Sequence, residues 1–103
     1  MKYIFVNWMQ HFDNEPILLY SELDDSRFEI RKVEIFPDGK KGYASEFEEF
    51  GSTRLGTAPV PFISEIARDP EFDPKEITQD EFEKVWSDRK LIMIVSGNDN
   101  NSR

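Results

Sequence analysis

Cysteine is absent from the 103-residue chain, and its absence excludes disulfide scaffolds, thiolate zinc sites and thiol nucleophiles together. Long hydrophobic runs are missing as well, since no segment approaches the ~20 apolar residues of a membrane span. The stretch Met1 to Gln10 has a single lysine and no small-residue cleavage pattern, so it does not read as a signal peptide. A cytoplasmic location is the expectation. Basic charge is also scarce: 13 Lys and Arg stand against 21 Asp and Glu, for a net charge of −8. Phosphate contacts require a basic face, so nucleic acid is not an expected partner, whereas a protein with a basic surface is. The acidity is spread along the chain, with 11 acids and 6 bases in residues 1–50 and 10 acids and 7 bases in the remainder.

What the chain does have is aromatic bulk: nine Phe, three Tyr and two Trp. Side chains of that size bury large area each, enough for one compact core in a chain of this length. A single domain over residues 1–95 with a mobile tail at 96–103 is expected. "KYIFVNWM" is rich in β-branched and aromatic residues and reads as a strand, with Ile4, Val6 and Trp8 on one face and Tyr3 and Phe5 on the other. Apolar residues on both faces imply an interior strand. "PILLYSEL" reads as a second strand that starts at Pro16. In "SRFEIRKVEIF" the parity of Phe28 and Ile30 differs from that of Val33 and Ile35, which calls for a bulge near Arg31 and Lys32. "PDG" at 37–39 supplies a hairpin turn into a fourth strand, "KKGYASEF".

Beyond Gly51 the pattern loosens into an irregular connection with one short extended piece around Thr53 to Leu55. Helical spacing then begins. "PFISEIAR" predicts a short helix with Pro61 in its first turn, closed by "DPEFDP". A second helix opens with Thr78 and Glu81 spaced as a capping box and Ile77 and Phe82 spaced as a hydrophobic staple. Its stripe of Phe82, Val85 and Trp86 faces a core rather than a cofactor. "LIMIV" at 91–95 is expected as a last strand or as an extension of that helix, with strand preferred. Strands first and helices afterwards give an α+β domain, an antiparallel sheet of about four strands with two C-terminal helices packed on one face.

The runs "WMQHFDNEPILLYSELD", "RKVEIFPDGKKGYA", "PVPFISEI" and "DPEFDPKEITQDEFEKVW" resemble a family of small bacterial proteins described as a domain of unknown function. The resemblance spans Tyr3 to Trp86 and leaves "LIMIVSGNDNNSR" outside. It implies no activity, cofactor or catalytic residue.

Three acidic clusters are the candidate sites. His11 with Asp13 and Glu15, and with Glu22 or Asp24 nearby, has the residue types for acid/base chemistry. No activated Ser or Cys accompanies them, and a connection rich in Asp and Asn is ordinary turn chemistry. Glu22, Asp24 and Asp25 could hold a hard cation, but the spacing and glycine of a calcium loop are missing. Pairing of Glu22 with Arg31 or Lys32 across strands, worth ~0.2 to 1 kcal/mol, is the preferred account of that glutamate. Glu46, Glu48 and Glu49 alternate with Phe47 and Phe50, so aromatic anchors and acid selectors stand together. Gly51 and Gly56 lack the spacing and the terminal Lys-Ser/Thr of a phosphate loop. No cofactor is expected. The leading expectation is a non-catalytic protein of the immunity or inhibitor type, which occludes a basic toxin or nuclease through these acidic residues. The alternative is a small metal-assisted hydrolase or transferase using His11 and its neighbouring carboxylates.

Overall fold

The computed structural model describes residues 1–91. Its centre is a six-stranded, wholly antiparallel sheet built from β1 (Lys2–Trp8), β2 (Leu18–Leu23), β3 (Glu29–Ile35), β4 (Lys41–Ser45), β5 (Glu49–Phe50) and β6 (Phe72–Glu76). The spatial order is β5-β4-β3-β2-β1-β6. Among the described residues two helices accompany the sheet, α1 (Ile63–Ile66) and α2 (Gln79–Ser87). The first five strands form a meander, and the chain then crosses from one edge of the sheet to the other before adding β6 beside β1.

That crossing corrects the expected fold in two ways. The sheet has six strands rather than about four, because β5 is only two residues long and β6 lies in the proline-flanked "EFDPKE". Pro74 is tolerated within β6 because β6 is an edge strand, where a missing N–H can face solvent. The helices also do not share a face. The connection between β5 and β6 passes over one side of the sheet, where Ile63, Ile66 and Val60 pack on Ile4, Val6 and Leu23. After β6 the chain returns over the other side, where Phe82 and Trp86 of α2 pack with Tyr3, Phe5 and Tyr20. The alternation of β1 therefore divides the apolar residues between two cores, and Phe82 of α2 is fully buried.

Local signals explain most element ends. The β3–β4 hairpin closes with Phe36 N–H donating to the Lys40 carbonyl at 2.9 Å, and Gly39 adopts φ 87°, a left-handed value that a glycine reaches without steric cost. In α2 the Thr78 hydroxyl accepts from Glu81 N–H at 3.1 Å, and the Glu81 carboxylate accepts from Thr78 N–H at 2.9 Å, completing the box. Ile77 and Phe82 lie together in one core cluster, as a staple requires. The bulge in β3 falls at Ile30: Glu22 faces Arg31 while Leu23 faces Glu29, so one residue is extra. The second strand begins at Leu18, two residues beyond Pro16. The first helix is shorter than expected, with Pro61 ahead of its Phe62 N-cap, and the piece around Thr53 to Leu55 forms no strand. Most of "LIMIV" and all of the 96–103 tail lie outside the described residues.

Candidate functional site

The turns decide which candidates meet. The β2–β3 turn (24–28) and the β4–β5 turn (46–48) emerge at the same end of the meander, on either side of β3. Asp24, Asp25, Glu46, Glu48 and Glu49 are thus gathered at one end of the sheet. The loop with His11, Asp13 and Glu15 joins β1 to β2 at the opposite end. The six residues of β2 separate the two ends by ~20 Å at ~3.3 Å per residue. His11 is exposed and does not come together with Asp24. Its loop is pinned by the Gln10 amide, which donates to the Glu15 and Pro16 carbonyls at 2.9 and 3.2 Å.

Glu22 lies inside the fold. It is 7% exposed, accepts from Arg31 Nε at 2.5 Å and receives the Tyr3 hydroxyl at 3.0 Å. Burial, followed by this bond to a carboxylate, pushes the Tyr3 hydroxyl above the ordinary phenol range. Arg31 is raised in turn by its hydrogen bonds to Glu22 and Glu83. The cross-strand pairing expected of Glu22 is therefore the Arg31 one. Asp24 closes its own turn, with Oδ1 accepting from Ser26 N–H and Phe28 N–H, each at 2.9 Å. Asp25 is exposed, 3.9 Å from the N-terminal amine.

The acidic tip has a defined shape. The Ser45 hydroxyl accepts from Phe47 N–H at 3.1 Å and from Glu48 N–H at 3.3 Å, a side-chain turn that fixes the backbone between β4 and β5. Glu48 then reaches back to α2's end, accepting from Arg89 Nε and Nη2 at 3.1 and 2.5 Å. Those hydrogen bonds hold its carboxyl below the usual carboxylate range, against the opposing effect of partial desolvation. Arg89 stacks over Trp86 at 4.0 Å and over Tyr43 at 5.1 Å. The turn is therefore tied through Glu48 and Arg89 to the aromatic core. Glu49 pairs with Arg54 at 3.2 Å, while Glu46 makes no ion pair among the described residues. Phe47 stands between these acids and is 89% exposed.

Sequence reading missed a second feature. A cleft of about 740 Å³ opens where the β3–β4 hairpin, the β5 edge and the end of α2 converge. Its aromatic lining comes from Phe36, Tyr43 and Phe50, and Lys40 and Lys41 line it as well. The one signal in the sequence is the pair of lysines after the turn in "FPDGKKGY". Among the described residues no group of three or more His, Asp or Glu side chains could hold a metal ion, and no helix is long and apolar enough to cross a membrane.

No curated protein and no solved structure matches the chain significantly. A family model does match, over residues 2–91, and it takes in the four stretches that carry the resemblance. On that match the chain belongs to the family described as a domain of unknown function, DUF6881.

Proposed function

We propose that this protein is a non-catalytic binding module of the immunity or inhibitor type, whose acidic sheet end seats on a basic surface of a toxin or nuclease. The observation that carries the reading is Phe47, a fully presented aromatic side chain on a turn held by Ser45 and Glu48. An aromatic anchor on a rigid turn loses little entropy on docking, and such residues supply a large share of interface energy. Glu46, Asp24 and Asp25 around it add a local negative field, which speeds encounter with a positive partner and raises sensitivity to salt.

The test is affinity capture from the native cells with the wild-type chain, Phe47→Ala, the double change Glu46→Gln with Asp25→Asn, and Phe12→Ala as a control at the opposite end. Phe47→Ala is expected to weaken capture of one basic protein by about tenfold or more. The charge variant is expected to slow association and flatten its salt dependence, with Phe12→Ala unchanged. Equal capture by all four chains would end the proposal. Because Phe47 is exposed, its replacement should shift stability by no more than about 0.5 kcal/mol, so a binding loss is not a folding loss.

A further inference from the structure

The cleft at the other end of the sheet runs against the charge of the chain. Lys40, Lys41, Arg89 and Lys90 line it, against the carboxylates of Asp13 and Asp38, in a protein whose net charge is −8. Glu48 occupies Arg89, lies 3.7 Å from Lys90 and offsets part of that excess. Lys40 has Asp38 at 3.7 Å. Lys41 differs from all three. Its ammonium donates to the Asp88 carbonyl at 3.0 Å, and among the described residues no carboxylate pairs with it. A half-buried cation held only by a main-chain oxygen keeps two of its three donors available for an anion.

The floor of the cleft is aromatic. Tyr43 and Phe50 stack with centroids 5.3 Å apart and planes 13° from parallel. Phe50 remains 56% exposed, so one face of its ring rests on Tyr43 and the ring still presents a surface outward. A volume of about 740 Å³ falls within the range of small-molecule sites, ~300 to 1,000 Å³. From an aromatic platform beside an unpaired ammonium we infer that the cleft binds a planar, ring-bearing anion, the ring laid on Phe50 and the acid group on Lys41. Glu48 of the acidic turn touches this lining at Arg89 and Lys90, but Lys41 and Phe50 take no part in the protein-binding reading, and neither reading requires the other.

The experiment is a titration of the full chain followed by backbone amide NMR, with naphthoate, naphthyl phosphate and the uncharged naphthalene methanol as probes. Naphthoate or naphthyl phosphate is expected to give saturable shifts confined to Lys40–Tyr43, Phe50–Ser52 and Arg89–Leu91. The stronger of the two identifies the acid as carboxylate or phosphate. The uncharged probe and the Lys41→Met chain with the charged probe should each bind about tenfold more weakly or worse, as expected for loss of a charge-assisted hydrogen bond. Lys41→Arg should retain binding, which separates loss of charge from loss of fold. Lys75→Met, on the far edge strand, should bind as the wild type does. Equal affinity for the uncharged probe, shifts scattered outside the cleft, or no saturation by either anion would overturn the inference.

Discussion

Arg31 on β3 and Glu83 on α2, 52 positions apart, meet through two parallel hydrogen bonds of 3.1 and 2.6 Å. The same guanidinium carries Glu22 on its Nε and lies over the rings of Phe82 and Trp86 at 5.0 and 5.2 Å. One side chain thus ties the return helix to the middle of the sheet and satisfies a buried carboxylate. A planar, forked donor set suits that double task in a way an ammonium does not.

Replacing Arg31 by Met should therefore destabilise by about 3–5 kcal/mol, because Glu22 is left buried without its cation. Glu83→Gln should cost under about 1 kcal/mol, since Glu83 is the more exposed of the two partners and solvent screens its pair. Urea unfolding midpoints at neutral pH decide between this asymmetry and equal losses, which would mean that the clamp on α2 matters more than the charge inside.

Acid should weaken the fold through named groups. Glu83 is held below the usual carboxylate range by its hydrogen bonds to Arg31, Glu48 by those from Arg89, and Glu81 by the Thr78 N–H. With folded values depressed, the unfolded chain binds more protons over this window, so the contribution is complete above the ordinary Glu value of ~4.3 and is lost as pH falls through the folded values. At the alkaline end the sign reverses. Tyr3 is raised from 10.0, so its contribution is complete below that value and is lost as pH climbs through the folded one. Thermal melts from pH 2 to 7 should show the acid loss, and the acid slope should shrink in Arg31→Met, which removes the partner of Glu83; an unchanged slope would contradict the assignment.

The first four strands and the start of α2 were legible in the sequence because their signals are local, whereas the two-residue β5 was not. Gly39 follows Pro37 at the spacing of a turn, and Thr78 and Glu81 cap a helix from three positions apart. Two further features that escaped depend on the far side of the molecule. Phe72–Glu76 is extended only because β1 offers it a free edge, with Trp8 opposite Phe72 and Val6 opposite Pro74; read alone, "DPEFDP" is turn chemistry. The face taken by each helix depends on the path of the chain between distant strands, which no periodicity encodes. The acidic candidates divided in the same way, since composition shows carboxylates and only the fold shows that Glu22 points inward while Glu46 does not.

Gly42→Ala should cost about 1–3 kcal/mol, the usual range for overpacking a fitted interior. A Cβ at that position would lie 2.1 Å from the Thr53 hydroxyl oxygen and 3.3 Å from the Phe50 carbonyl. Thr53 is 1% exposed and its hydroxyl donates to Glu34 at 2.7 Å, so it cannot rotate aside without leaving that carboxylate short of a donor. Pairing the change with Thr53→Gly in a double-mutant cycle should show strong coupling between the sites. Additive losses would mean that the connection does not rest on the sheet where Gly42 admits it.

The bulge at Ile30 has a consequence for the opposite face. Strict alternation through Ile30 would place Glu29 on the same face as Arg31 and Val33. With the bulge, Glu29 joins Lys32 and Glu34 on the face that the β5–β6 connection covers, where it lies 3.1 Å from the Lys32 ammonium and accepts from Gly56 N–H at 2.6 Å and from the Ser21 hydroxyl at 3.4 Å. Deleting Ile30 removes the extra residue yet leaves Glu29 opposite Leu23 in a regular register, so the carboxylate should keep its face and its bond to the Gly56 N–H. Hydrogen exchange at the Gly56 amide should accelerate markedly in Glu29→Ala, which keeps the bulge but removes the acceptor, and should stay slow in the Ile30 deletion. If the Gly56 amide stayed protected in Glu29→Ala, the Glu29 carboxylate would not be what anchors the crossing connection.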